Sequence, residues 1–232
     1  MLKRLFILVI TLLFIINKAE AQQTIINIPS TEILAKGKFF ARNSNRFRPF
    51  QPNPYILSSF NLTAGAGFRT EGFFAIIPIN ITDQAGNIFE EPRLDLAFKS
   101  ALIYAPKTRL VGGSRISASL SIAITPLTFS YVLFSRQFLD RGPRITSGIY
   151  LANRDDFFDQ DFGVLLGFEQ IIVKDRLIAA IDWISGNRPY GFLAPGLKFS
   201  PVKSAFITLG VLIPNGNRAR TGFILSFAKY LN

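Results

Sequence analysis

Eight charged side chains are spaced so that they can act together. Lys38, Arg42, Asp95, Lys99, Arg115, Glu169, Asp182 and Lys198 each fall on the less apolar parity of a segment whose other parity is rich in Leu, Ile and Phe. On one face of a sheet, these five cations and three carboxylates can do two kinds of chemistry. They can line a water-filled path and select solutes by charge, or they can neutralise one another as ion pairs filling a closed interior. Both uses fit the pattern. Asp95, Glu169 and Asp182 could also be read as paired hydrolytic carboxylates. They belong to different segments, each with Lys or Arg on the same face, and charge partnership is the simpler reading. The acidic cluster Asp155-Asp156, Asp159 and Asp161 lacks the Gly and terminal Glu of an EF-hand loop and reads as a solvated loop.

The residue types that are missing restrict the chemistry further. The chain has 232 residues with no His and no Cys. Ser-His-Asp and Cys-His nucleophiles, imidazole metal sites, zinc ribbons, iron–sulfur clusters and disulfides are therefore excluded. No catalytic, metal or cofactor site is expected, and the chain does not read as an enzyme. Its net charge of +11 suits an anionic partner.

The first 21 residues are set apart. Lys3 and Arg4 precede an apolar run from Leu5 to Ile16, and Ala19-Glu20-Ala21 has the small-x-small form of a cleavage site. This reads as a secretory signal peptide, 1–21, because the apolar run is too short for a membrane-spanning helix, which needs ~20 residues. An exported chain points away from nucleic acid and toward lipid phosphates or anionic solutes as the partners of the basic charge. Residues 22–35 are expected to be an N-terminal periplasmic segment, and 36–232 the folded domain.

Segments of about ten residues with two-fold alternation, separated by turn residues, carry the rest of the chain. In 93–104, Leu94, Leu96, Phe98, Leu102 and Tyr104 share one parity, against Arg93, Asp95, Ala97, Lys99 and Ala101. Twelve such segments are expected: 36–48, 55–67, 71–81, 91–104, 109–123, 126–138, 144–151, 162–172, 176–185, 191–200, 203–213 and 220–231. Ten is the alternative count, because 71–81 and 126–138 are apolar on both faces and the connection near Thr125-Pro126 is short. Longer and shorter connections otherwise alternate along the chain. Gly65, Gly67, Gly113, Gly163, Gly167 and Gly196 fall on the charged parity and leave room there for longer side chains. All of this predicts an all-β, up-and-down antiparallel transmembrane barrel, with its apolar parity in lipid and its charged parity toward the lumen.

The last segment carries a resemblance. Arg220-Thr-Gly222-Phe-Ile-Leu225-Ser-Phe227 is similar to the β-signal on the final strand of bacterial outer-membrane barrels, although this chain ends Lys229-Tyr-Leu-Asn232 rather than in an aromatic residue. Ser185 to Lys198 and Ile213 to Asn217 resemble stretches of uncharacterised outer-membrane proteins. The resemblance implies residence in the cell outer membrane after signal-peptide-directed export. It also implies contact with outer-membrane lipid and lipopolysaccharide, and handling by the barrel-insertion machinery. Three functions stay open. One is a narrow channel for small solutes with mild anion preference. The second is a non-conducting structural or surface-binding barrel. The third is a soluble, lipocalin-like exported carrier, against which the apolar parity from Leu94 to Leu102 argues.

Overall fold

In the computed structural model, the described residues are 24–51, 54–82, 88–120, 126–139, 142–153, 161–186, 191–216 and 220–231. The signal-peptide segment, most of the Asp155–Asp161 cluster and Tyr190 lie outside them. Twelve antiparallel strands run along the chain: β1 (Phe39–Arg48), β2 (Tyr55–Gly67), β3 (Thr70–Thr82), β4 (Ile88–Tyr104), β5 (Thr108–Ser119), β6 (Leu127–Gln137), β7 (Arg144–Ala152), β8 (Phe162–Val173), β9 (Leu177–Ile184), β10 (Phe192–Val202), β11 (Ala205–Pro214) and β12 (Gly222–Leu231). Each pairs with its sequence neighbours, and β1 pairs with β12 from Phe39↔Leu231 to Phe47↔Phe223, so the sheet closes into a barrel with no free edge. Closure matters because an edge in hydrocarbon would leave main-chain N–H and C=O groups without partners.

The side-chain alternation that predicts the strands also decides which face is which. Phe60, Phe98, Leu209 and Phe227 stand exposed on the outside, each about half accessible, whereas Asn61, Asp95, Lys99 and Ser226 on the opposite parity are buried. An exposed belt this apolar is unfavourable in water and favourable in lipid. The connections sort by end. Those that follow odd-numbered strands belong to one end, and those that follow even-numbered strands, with both ends of the barrel chain, to the other. Five of the six at the first end are six residues or longer, and all but 138–143 at the second are three or shorter. Phe68 and Arg69 both have positive φ, as a tight two-residue hairpin needs. β5 stops at Ser119, earlier than its pattern suggests, so the connection around Thr125-Pro126 is longer than expected, and the alternation departs only at 138–143, which is six residues long at the short-turn end.

Two expectations are corrected. The β4–β5 register shifts between Ala101 and Ile103. A bulge reverses parity beyond it: Leu102 and Ile103 are both exposed, and Tyr104 turns inward to stack on the Arg109 guanidinium, 4.8 Å from its ring centre. The second correction concerns 22–35, expected as a periplasmic segment outside the barrel. Its described part, from Thr24, packs within the barrel. Ile25, Ile26 and Ile28 are at most 1% exposed, and the segment reaches β1 through a turn at Lys36-Gly37.

Candidate functional site

The lumen is the candidate site, and its occupant is the chain's own N-terminal segment, here called the plug (residues 24–35). The plug begins as a tight loop in which Thr24 bridges Pro29 and Ile25 N–H donates to the Ile28 carbonyl at 3.0 Å. This turns three main-chain N–H groups toward one point, which Asp182 fills. Its Oδ2 accepts from Ile26 N at 2.8 Å, Asn27 N at 2.7 Å and Ile28 N at 2.9 Å. Adjacent N–H groups that converge in this way form a cradle for an anion. In this lumen a wall carboxylate occupies the cradle.

The apolar side of the plug sits against one half of the wall. Ile25, Ile26 and Ile28 cluster with Leu133 (β6), Tyr150 (β7), Leu165 (β8), Ile184 (β9), Phe192 (β10), Leu212 (β11) and Ile224 (β12). Glycines hollow this wall to receive them. A methyl group at Gly167 would lie 2.4 Å from Ile25 Cδ1, and one at Gly196 would lie 2.8 Å from Ile26 Cδ1. Gly113 and Gly163 instead lie under the rings of Tyr131 and Tyr150. At Gly65 the approach is to main chain, since a Cβ there would stand 2.0 Å from the Ala35 carbonyl oxygen as the plug leaves for β1.

Polar contacts hold the rest of the plug. Lys198 Nζ donates to the Thr24 carbonyl at 2.6 Å and lies 3.4 Å from Glu169. Lys99 Nζ donates to the Ser30 carbonyl at 3.2 Å and pairs at 2.9 Å with Glu71, directly opposite it across β3 and β4. Glu71 Oε2 in turn accepts from Leu34 N at 2.7 Å. Glu32 of the plug meets both Arg109 and Arg144, the latter at 2.7 Å. Thr31 shares a 2.6 Å hydrogen bond with Ser135. Buried charges are tolerated when paired and hydrogen-bonded, and these pairs neutralise one another while fixing the plug.

The eight predicted lumen residues therefore divide. Asp182, Lys99 and Lys198 grip plug main chain, Glu169 supports Lys198, and Arg42 donates to the Thr24 hydroxyl. Asp95, fully buried, pairs with Arg115 at 3.3 Å on the wall. Lys38 lies just before β1 and is half-buried there, with its main chain bonded to Ala35 and Gly65. The structure adds Glu32, Glu71, Arg46, Arg109 and Arg144. Parity in 71–81 could have revealed Glu71, which shares its face with Phe73, Ala75 and Ile77. The other half of the lumen stays partly open as a cavity of about 170 Å³ between the plug loop and β1–β6. A second cavity of about 440 Å³ opens at the short-turn end beside Glu32, Arg109, Arg144 and Tyr104.

Comparisons with known proteins agree with this architecture. No protein-family profile matches the chain, and no curated protein matches it. Among solved structures it is similar to the KdgM porin, with a TM-score of 0.61 at 7% identity over 83% of this chain and 99% of that one. The same porin in complex with disordered oligogalacturonate gives 0.59 at 7% identity over 84% and 99%. A membrane protein from work on in-meso crystallization gives 0.52 at 11% identity over 84% and 83%. The fold is that of an outer-membrane β-barrel. In this barrel, the residues read from sequence as lining the lumen include those that hold the plug.

Proposed function

We propose that the chain is an outer-membrane channel for small solutes, held shut in the arrangement described by its plug. In this reading residues 1–21 direct export, the insertion machinery places the barrel among outer-membrane lipid and lipopolysaccharide, and the lumen favours anions. The observation that carries the reading is how the plug is held. Its ties to the wall are hydrogen bonds, ion pairs and isoleucine contacts, and it joins the barrel covalently only through the turn at Lys36-Gly37, so the segment can leave without disturbing a strand. Twelve strands also enclose more space than the eight whose interior side chains fill it. Inward bases outnumber inward acids, and a low-dielectric pore with that imbalance concentrates anions. The porin of similar fold that was captured with an oligogalacturonate supports an anionic solute here.

The same ion pairs also suit a structural barrel that never opens. Planar-bilayer recording separates the two. The full protein should conduct weakly and intermittently. A variant lacking residues 24–35 should conduct steadily, with chloride preferred over potassium. A plug-free, correctly folded barrel that passes no current would refute the channel and leave the structural barrel as the account.

A further inference from the structure

The open half of the lumen has a composition that the plug does not explain. Its cavity is lined by both cations and apolar side chains. Arg42, Arg46, Lys99 and Arg115 line it, and Glu71 is the one acid among the described lining residues. Lys99 is held by Glu71 and Arg115 by Asp95. Arg42 donates from Nη1 to the neutral hydroxyl of Thr24, and its buried Nε, like that of Arg115, has no hydrogen-bond partner among the described residues. Arg46 donates to Asn27 Oδ1 at 2.8 Å. The lining also holds Phe73, Ile77, Phe129 and Tyr131, with Asn61 and Thr63.

We propose that this cavity binds a small organic monoanion, a carboxylate carried on an apolar ring or short chain. A guanidinium enclosed by protein has lost its water and gains most from an ionised oxygen acceptor, which forms shorter and stronger hydrogen bonds than a hydroxyl does. An apolar pocket with a few convergent polar groups is the usual form of a small-ligand site, and here the polar groups set the ligand's charge. The aromatic and aliphatic wall excludes a fully hydrated inorganic ion as the best fit, because it would leave that wall against water. The site also touches the plug, since Thr24 and Asn27 supply the oxygens that a carboxylate would displace from Arg42 and Arg46. The inference deepens the channel reading by naming a solute class, and it rests on that reading for its physiological meaning.

The test is binding rather than current. Benzoate is titrated calorimetrically into the full-length barrel in detergent, with empty micelles subtracted, and benzamide serves as the uncharged isostere. Saturable binding of benzoate is expected at one site, with benzamide at least tenfold weaker. Arg42→Gln should weaken benzoate at least tenfold and leave benzamide unchanged. Ile77→Trp, which adds bulk to the apolar part of the lining, should abolish binding of both. Heat-modifiable migration and β-sheet circular dichroism confirm that each variant is a closed barrel. If Arg42→Gln fails that check, Ile77→Trp together with the benzoate–benzamide difference decides the question. Equal binding of the two probes, wild-type affinity in the variants, or no saturable binding would overturn the site. A barrel that binds benzoate but carries no current when unplugged would remove the channel reading and keep the site. One that conducts without binding would do the reverse.

Discussion

Asp182→Ala should release the plug, and the size of the effect follows from the contacts. One carboxylate oxygen accepts three main-chain N–H bonds, all within 2.9 Å, from a loop whose neighbours are fully buried. A buried donor that loses its acceptor costs ~1–3 kcal/mol. Taking the low end for each, because an undocked loop regains water, gives ~3 kcal/mol. At 1.4 kcal/mol per factor of ten, the docked-to-undocked ratio falls roughly 100-fold. The protein has no Cys, so a single introduced thiol reports cleanly. Ser30→Cys changes one atom in a plug residue that is 1% exposed. When opening and closing are fast, maleimide reacts in proportion to the undocked population. Labelling of Ser30→Cys/Asp182→Ala should therefore run about 100-fold faster than that of Ser30→Cys alone. Rates within twofold of each other would mean that the three hydrogen bonds do not hold the plug, and the mechanism of closure given above would be wrong.

Other perturbations separate the plug from the wall. Gly167→Leu puts a side chain where Ile25 and Ile28 sit, while the nearest wall atom, Thr146 Cβ, is at an ordinary 3.5 Å, so bilayer conductance should rise with the barrel still heat-modifiable. Lys99→Met strands Glu71 in a buried site and should cost ~3–5 kcal/mol in urea unfolding, with part recovered by adding Glu71→Gln. Phe98→Arg and Leu209→Arg, on the outer belt, should each cost ~2–4 kcal/mol if near the bilayer midplane. Arg at Phe68, fully exposed in its turn, should cost ~0–1 kcal/mol, and equal costs at all three sites would contradict the assigned lipid face.

The strands were legible because alternation is local: a two-residue period survives wherever one face meets lipid and the other polar groups. It fails where both faces are apolar, and the structure gives the reason. Leu127, Phe129 and Leu133 of β6 face inward because the plug's isoleucines need apolar partners, and Phe73 and Ile77 of β3 line the cavity. The inward charges were legible by the same parity, but their partners were not. Asp182 lies 154 to 156 residues from the amides it accepts, and no local pattern spans that distance. The plug itself, Ile25-Ile26-Asn27-Ile28, is too short to show a period. Tyr104 was assigned to the wrong face because a bulge is one extra residue that leaves no mark in composition.

The separation between the plug and its anchors also has a consequence for how the molecule is made. The apolar surface that receives Ile25, Ile26 and Ile28 is built from β6 through β12, and Thr24 bonds Lys198 across 174 positions. Contacts that close such long loops form late, because the entropy of closure must be met before they can contribute. The plug precedes in sequence every strand that forms its seat. The seat for the plug is complete only when β12 is in place, so docking of the plug and closure of the β1–β12 seam, Phe39↔Leu231, both wait for the end of the chain.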